Sequence, residues 1–173
     1  MLDIIVMDNR PYSNNYHDRC VNSVRDAIAN AGFPCKLVET KGNLKAIAKA
    51  RGAAFDQTTA PYVTWVVDFD YLLPDALAVL KEELEKGPAA VFTREKRLMA
   101  RGEGLCKRRH HLAVYRRDIL LANRQLFETE NVDAVAAALQ EAAQAAGAVD
   151  IQHWGYVRNI LPDVCEIYRA EIP

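Results

Sequence analysis

Several features that would place this chain in a well-marked class are missing. Its four cysteines, Cys20, Cys35, Cys106 and Cys165, are scattered and form no C-x-x-C pair. That excludes a zinc knuckle, a thioredoxin-type redox motif and a disulfide-stapled scaffold, and reduced thiols in a cytoplasmic protein are expected. No stretch approaches 18 consecutive apolar residues, and the apolar run Ile4–Met7 has no basic segment before it. Neither a transmembrane segment nor a standard export signal is therefore expected. There is also no internal repeat and no low-complexity linker, and 173 residues suit a single domain with a substantial core.

Net charge is nearly absent, at −1, but it is unevenly distributed. Between Arg94 and Arg117 lie nine Lys/Arg residues against only Glu95 and Glu103. A basic segment in an otherwise acidic chain calls for an anionic partner. Residues 94–109, including Arg94, Lys96, Arg97, Arg101, Lys107, Arg108 and Arg109, are expected to form a loop, either a mobile surface loop or one that binds donor phosphates or an anionic acceptor such as phospholipid, with nucleic acid as the lesser alternative. The segment has no interleaved aromatics, so base stacking is not expected, and Gly102 and Gly104 would let it close as a lid.

The first half alternates strand and helix. Apart from Asp3, Leu2–Met7 is apolar and reads as a strand buried on both faces. A helix is expected from Tyr16 to Ala31, stopped by Gly32, then a short strand Pro34–Glu39. Asn43 can cap the next helix, with Leu44, Ile47, Ala48 and Phe55 inward. Tyr62–Val67 is the central strand, and Pro74 should open a helix that turns Leu77, Leu80 and Leu84 inward before Gly87-Pro88. The second half predicts strands at Ala89–Thr93, His111–Tyr115 and Val149–Trp154, helices at Asp118–Phe127 and Asp133–Ala146, and an irregular tail from Tyr156. The pattern is an α/β nucleotide-binding one.

The central strand runs into Asp68-Phe69-Asp70. On an extended chain, residues two apart point to the same side, so both carboxylates could share an ion. Oxygen ligands suit Mg²⁺ or Mn²⁺, which would take further ligands from water and phosphate and neutralise a diphosphate leaving group. The alternative is a pair of solvated turn aspartates.

The run from Gly42 to Leu77, GNLKAIAKARGAAFDQTTAPYVTWVVDFDYLLPDAL, resembles the central segment of family-two-type nucleotide-sugar glycosyltransferases of the GT-A fold. Asn9-Arg10-Pro11 and Arg19-Cys20-Val21-Asn22-Ser23-Val24 are similar to that family's first loop and helix. The resemblance implies a compact, single-domain GT-A-like (Rossmann-like) α/β fold, with a mixed sheet flanked by helices. It divides the chain into a nucleotide-donor half, 1–93, and an acceptor half, 94–173. Asp8, Asn9, Arg10 and Glu39 would border the nucleotide base, Arg51 would lie near the donor, and Asp68 and Asp70 would frame the metal and diphosphate as its ligands, Asp70 favoured over Asp68 for direct contact. His153 would be a third metal ligand.

The family's second signature, an acidic pair before a helix, matches Glu130-Asn131-Val132-Asp133, but Asn131 falls where the catalytic Asp is expected. An amide cannot accept the acceptor's proton. Glu130 or Asp133 would then serve as base, or the base lies elsewhere, or the protein does not transfer sugar. The implied activity is metal-dependent glycosyl transfer from a nucleotide-diphosphate donor, with inversion. The alternatives are a non-catalytic GT-A-like nucleotide-binding module and, below it, a haloacid-dehalogenase-type phosphatase. Val66–Leu73 resembles that phosphatase signature but has Leu72 where Thr is required.

Overall fold

The computed structural model describes residues 1–10, 16–99, 102–106, 112–129 and 131–160. Strands β1 (Leu2–Asp8), β2 (Cys35–Lys41) and β3 (Tyr62–Val67) run parallel in the order β2-β1-β3. The sheet continues through β8 (Ala113–Arg116), antiparallel to both β3 and β5 (Ala90–Phe92), and ends at β9 (Val149–Asp150). The result is a six-stranded mixed sheet in a single domain, with helices on both faces.

All seven residues of β1 are buried because the two faces have separate partners. Leu2, Ile4 and Val6 pack with α1 (His17–Asn30) and with Leu77, Leu80 and Leu84 around α3 (Lys81–Glu85). Ile5 and Met7 pack against α2 (Ile47–Phe55) and α5 (Val132–Ala145). The crossover from β1 to β2 runs through α1 on one face and that from β2 to β3 through α2 on the other, so the carboxyl ends of β1 and β3 border a topological switch point, the usual place for a ligand in such sheets. Asp3, 3% exposed within this strand, accepts from the backbone N–H groups of Thr59 and Ala60 at 2.8 and 2.9 Å and anchors the approach to β3.

Three local expectations are corrected. The helix expected at Pro74 is a turn through Leu77, followed by a 3₁₀ turn, Ala78–Leu80, and the short α3, although Leu77, Leu80 and Leu84 are all buried. Leu73 N–H donates to the Gly155 carbonyl at 2.8 Å, and this long-range bond fixes the chain where a helix would begin. The strand expected at Val149–Trp154 covers only β9, while Tyr156–Ile160, expected to be irregular, forms β10.

The basic stretch, expected to be a loop, contains β6 (Glu95–Met99) and β7 (Gly102–Cys106), paired antiparallel with Arg97 opposite Gly104 and Met99 opposite Gly102. Both glycines are therefore in strand. With β4 (Tyr71–Leu72) and β10 these strands make a second sheet, ordered β4-β10-β6-β7. Arg101 and Lys107, Arg108 and Arg109 lie outside the described residues. The helix expected at Asp118–Phe127 divides into α4 (Arg117–Ala122) and a 3₁₀ turn, Arg124–Glu128. No helix among the described residues is long and apolar enough to cross a membrane.

Candidate functional site

The polar residues at the switch point are held by Asn9, which follows β1. Its backbone N–H donates to Asp68 Oδ2 at 2.9 Å, and its Nδ2 donates to Asp68 Oδ1 at 2.8 Å and to the Met7 carbonyl at 3.1 Å. Asn9 thus ties the end of β1 to the turn after β3. The chain returning from β2 presses on the same side chain: a Cβ at Gly42 would lie 2.0 Å from Asn9 Oδ1. Gly42 N–H donates to the Asp8 carbonyl at 2.9 Å, so the close approach is fixed by backbone as well.

Asp8 is clamped by Arg10, whose Nε and Nη2 donate to its two oxygens at 2.8 and 2.9 Å, while Lys41 Nζ donates to Oδ2 at 2.9 Å. The Arg10 guanidinium holds the Asp8 carboxyl well below the usual carboxylate range, overcoming the upward push of burial. Behind Asp8 and Asp68 stands His17 at the start of α1, 2% exposed. Its Nδ1 lies 3.5 Å from Asp68 Oδ2 and 3.9 Å from Asp8 Oδ1, and its Nε2 lies 3.8 Å from Glu39 Oε2. Among the described residues, Asp8, His17 and Asp68 form the one group of three side chains whose ligand atoms lie close enough to hold a metal ion. Glu39 is also paired with Arg25 at 3.2 Å.

The two aspartates of the Asp68-Phe69-Asp70 run do not share a side as they would on an extended chain. β3 ends at Val67, and Asp70 N–H donates back to the Val67 carbonyl at 2.9 Å, closing a turn. Asp68 consequently faces Asn9 and His17, whereas Asp70 faces β10. There Asp70 Oδ2 accepts from Tyr156 Oη at 2.6 Å and Oδ1 from Asn159 N–H at 2.9 Å. Asn159 Nδ2 also donates to the Phe69 carbonyl. Burial pushes the Asp70 carboxyl up to about 7, with the Tyr156 and Asn159 hydrogen bonds opposing it.

His153 Nε2 lies 3.6 Å from Asp75 Oδ1 and is outside the Asp8–His17–Asp68 group. Arg94 stacks on Trp154, 5.3 Å from the ring centroid. Arg51 lines a cavity of about 40 Å³ with Trp65, Tyr115, Leu139 and Gln140, between the sheet and the α2 and α5 helices. The Asn131 side chain caps α5, its Oδ1 accepting from Ala134 N–H at 3.0 Å. Asp133 is exposed in the first turn of that helix, and Glu130 lies outside the described residues. Replacing Asn131 with Ala should cost about 1 kcal/mol in urea unfolding, as loss of an N-cap does.

Neither a family model nor a curated protein sequence matches this chain. Solved structures do. Staphylococcus aureus TarS 1–349 in complex with UDP-GlcNAc superposes with a TM-score of 0.68 at 14% identity, covering 91% of this chain and 58% of that one. A glycosyltransferase involved in glycosylation of the major capsid of PBCV-1 superposes with a TM-score of 0.60 at 10% identity, covering 98% of both chains. The chain has a GT-A-like glycosyltransferase fold. The Mycobacterium tuberculosis H37Rv protein Rv0371C, in complex with manganese, shares it at a TM-score of 0.55 and 13% identity over 98% of this chain and 96% of that one. The chain spans less than two thirds of TarS 1–349, whereas it is matched nearly end to end by the other two.

His17 is the member of the cluster that the sequence did not disclose. A single histidine at a helix start has no periodic or spacing signal, and nothing local links it to Asp68, 51 positions on.

Proposed function

We propose that the protein is a metal-dependent nucleotide-sugar glycosyltransferase. The observation that carries this reading is the anionic Asp8–Asp68 cluster at the carboxyl ends of β1 and β3, in a fold shared over its whole length with the PBCV-1 glycosyltransferase. The UDP-GlcNAc bound by TarS suggests a uridine nucleotide as the first donor to try. Residues 1–93 make the donor half, with Asp8, Asn9, Arg10 and Glu39 toward the nucleotide, and residues 94–173 the acceptor half. An orphaned, buried His17 nitrogen facing two carboxylates fits a divalent cation, with Mn²⁺ the first to try. Such a cation, when bound, neutralises charge on a diphosphate leaving group.

The chain's own part is to fix the carboxylates before substrate arrives. Asn9 donates twice to Asp68, and Arg10 holds Asp8 ionised. On the acceptor side Asn131 is committed to capping α5, which leaves Glu130 or Asp133 as general base for an inverting displacement. The protein is proposed to work in the cytoplasm. The Asn131 cap equally favours a second reading, a binding module without turnover.

Calorimetry of UDP with and without Mn²⁺ tests the donor site. Wild type should bind UDP in the presence of Mn²⁺, and Asp68→Asn should bind it at least tenfold more weakly. Equal affinity in both proteins, with and without the ion, would refute the reading. Donor turnover by wild type then separates enzyme from module, and loss in Glu130→Gln or Asp133→Asn names the base, full activity in both placing it elsewhere.

A further inference from the structure

We infer that Asp8, His17 and Asp68 form a divalent metal centre of mixed nitrogen and oxygen ligands, selective for a first-row transition ion over Mg²⁺. For its role in chemistry this rests on the donor-site reading, but the centre itself stands on its own geometry. The three residues come from three elements: the end of β1, the first turn of α1 and the turn after β3.

His17 is 2% exposed, and its Nδ1 has no hydrogen-bond partner. A buried ring nitrogen left unpaired is costly unless something occupies the space it faces. What it faces is two carboxylate oxygens, at 3.5 and 3.9 Å. Both separations exceed the roughly 3.2 Å limit of an N–H···O hydrogen bond. They approach the spacing of neighbouring ligands on one ion, which for bonds of about 2.1 Å runs from about 3.0 Å in octahedral to about 3.4 Å in tetrahedral geometry. All three ligand atoms fall within 4.8 Å of one another.

The ligand set decides which ion. Mg²⁺ prefers oxygen ligands and retains its waters, whereas one imidazole with two carboxylates suits Mn²⁺ or Zn²⁺. Asp68 is already oriented for the purpose, since Asn9 fixes it through both oxygens. Asp8 Oδ1, the oxygen nearest His17, accepts from Arg10 Nε at 2.8 Å and from Arg10 N–H at 3.0 Å, while Oδ2 accepts from Lys41 Nζ at 2.9 Å. Lys41, with a side chain 84% exposed, is the cation an incoming metal displaces most easily.

Titration of the full chain with Mn²⁺ alone, followed by loss of the free-ion signal in electron paramagnetic resonance, reads this centre without nucleotide or turnover. Wild type should bind one ion. His17→Ala and Asp8→Asn should each weaken binding at least tenfold, Lys41→Ala should bind as tightly or more tightly, and Mg²⁺ should compete only in large excess. Thermal melts establish that each variant is folded, with Asp8→Asn serving if His17→Ala is not. The assignment is overturned if wild type binds no ion at millimolar Mn²⁺, if the folded His17 and Asp8 variants bind like wild type, or if Asp70→Asn or His153→Ala loses binding that His17→Ala retains. Ion binding without any UDP binding would leave the centre standing and remove the transferase reading. Mn²⁺-promoted UDP binding indifferent to His17→Ala and Asp8→Asn would do the reverse.

Discussion

Raising the pH from 4 to 8 should strip the folded, metal-free protein of about 4 kcal/mol of stability through Asp70 alone, each tenfold difference in proton affinity between folded and unfolded chain being worth about 1.4 kcal/mol. The group titrates near 7 when folded, against 3.8 for an ordinary aspartate. Between those values the folded state holds a proton that the unfolded state has released. Its contribution is therefore fully present below about pH 4 and is lost as pH rises through 7. The cause is burial: Asp70 is 4% exposed, and the donors from Tyr156 and Asn159 compensate the charged form only in part. Other carboxylates shift the opposite way, Asp8, Asp56 and Asp118 being held low by arginines, so the whole-protein curve mixes signs. Urea unfolding of Asp70→Asn beside wild type isolates the one group. The variant should gain on wild type by about 4 kcal/mol across that range. A difference that stays flat with pH would mean that Asp70 is ionised throughout.

The same residue shows where sequence reasoning reaches its end. Tyr62–Val67 was legible because a strand covered on both faces is apolar at nearly every position, and the same holds for β1, where the buried polar Asp3, like Thr64 of β3, has hydrogen-bond partners. The direction of the next two carboxylates was not. Alternation applies only while the chain stays extended, and the turn closed by the Asp70 N–H sends Asp68 and Asp70 to different partners. One of those partners is Tyr156, 86 residues away and in a segment that carries no strand signal of its own.

The basic stretch failed for a related reason. Its glycines and cations argue for a loop, but β6 is held between β7 and β10, and pairing with a distant strand overrides local preference. Asn131 was noticed for the proton it cannot accept, while its observed work is the humbler one its side chain favours anywhere, capping a helix. The polar cluster at the switch point was thus legible as a location, through Asp8, Asn9 and Asp68, but not in full, because His17 reaches it only through the fold.

Gly42→Ala should be the most damaging single methyl group at this site. Gly42 reads in sequence as a turn residue, yet the constraint on it is Asn9: the added Cβ would meet Oδ1 at 2.0 Å and Cγ at 2.6 Å. The backbone has little freedom to retreat, since Gly42 N–H is bonded to the Asp8 carbonyl. Asn9 must therefore rotate away, and doing so breaks its side-chain bonds to Asp68 Oδ1 and the Met7 carbonyl, both buried. Losing two buried hydrogen bonds, one of them to a charged group, should cost about 2–4 kcal/mol. Asp68 would keep the Asn9 backbone donor but lose the one that sets its second oxygen, so Mn²⁺ and Mn²⁺-dependent UDP affinity should fall at least tenfold. The companion variant Asn9→Ala in the Gly42→Ala background separates steric from polar effects. With the amide gone the methyl group has room, so the double variant should be no less stable than Asn9→Ala alone. If instead the two losses add, the clash with Asn9 is not what Gly42 relieves.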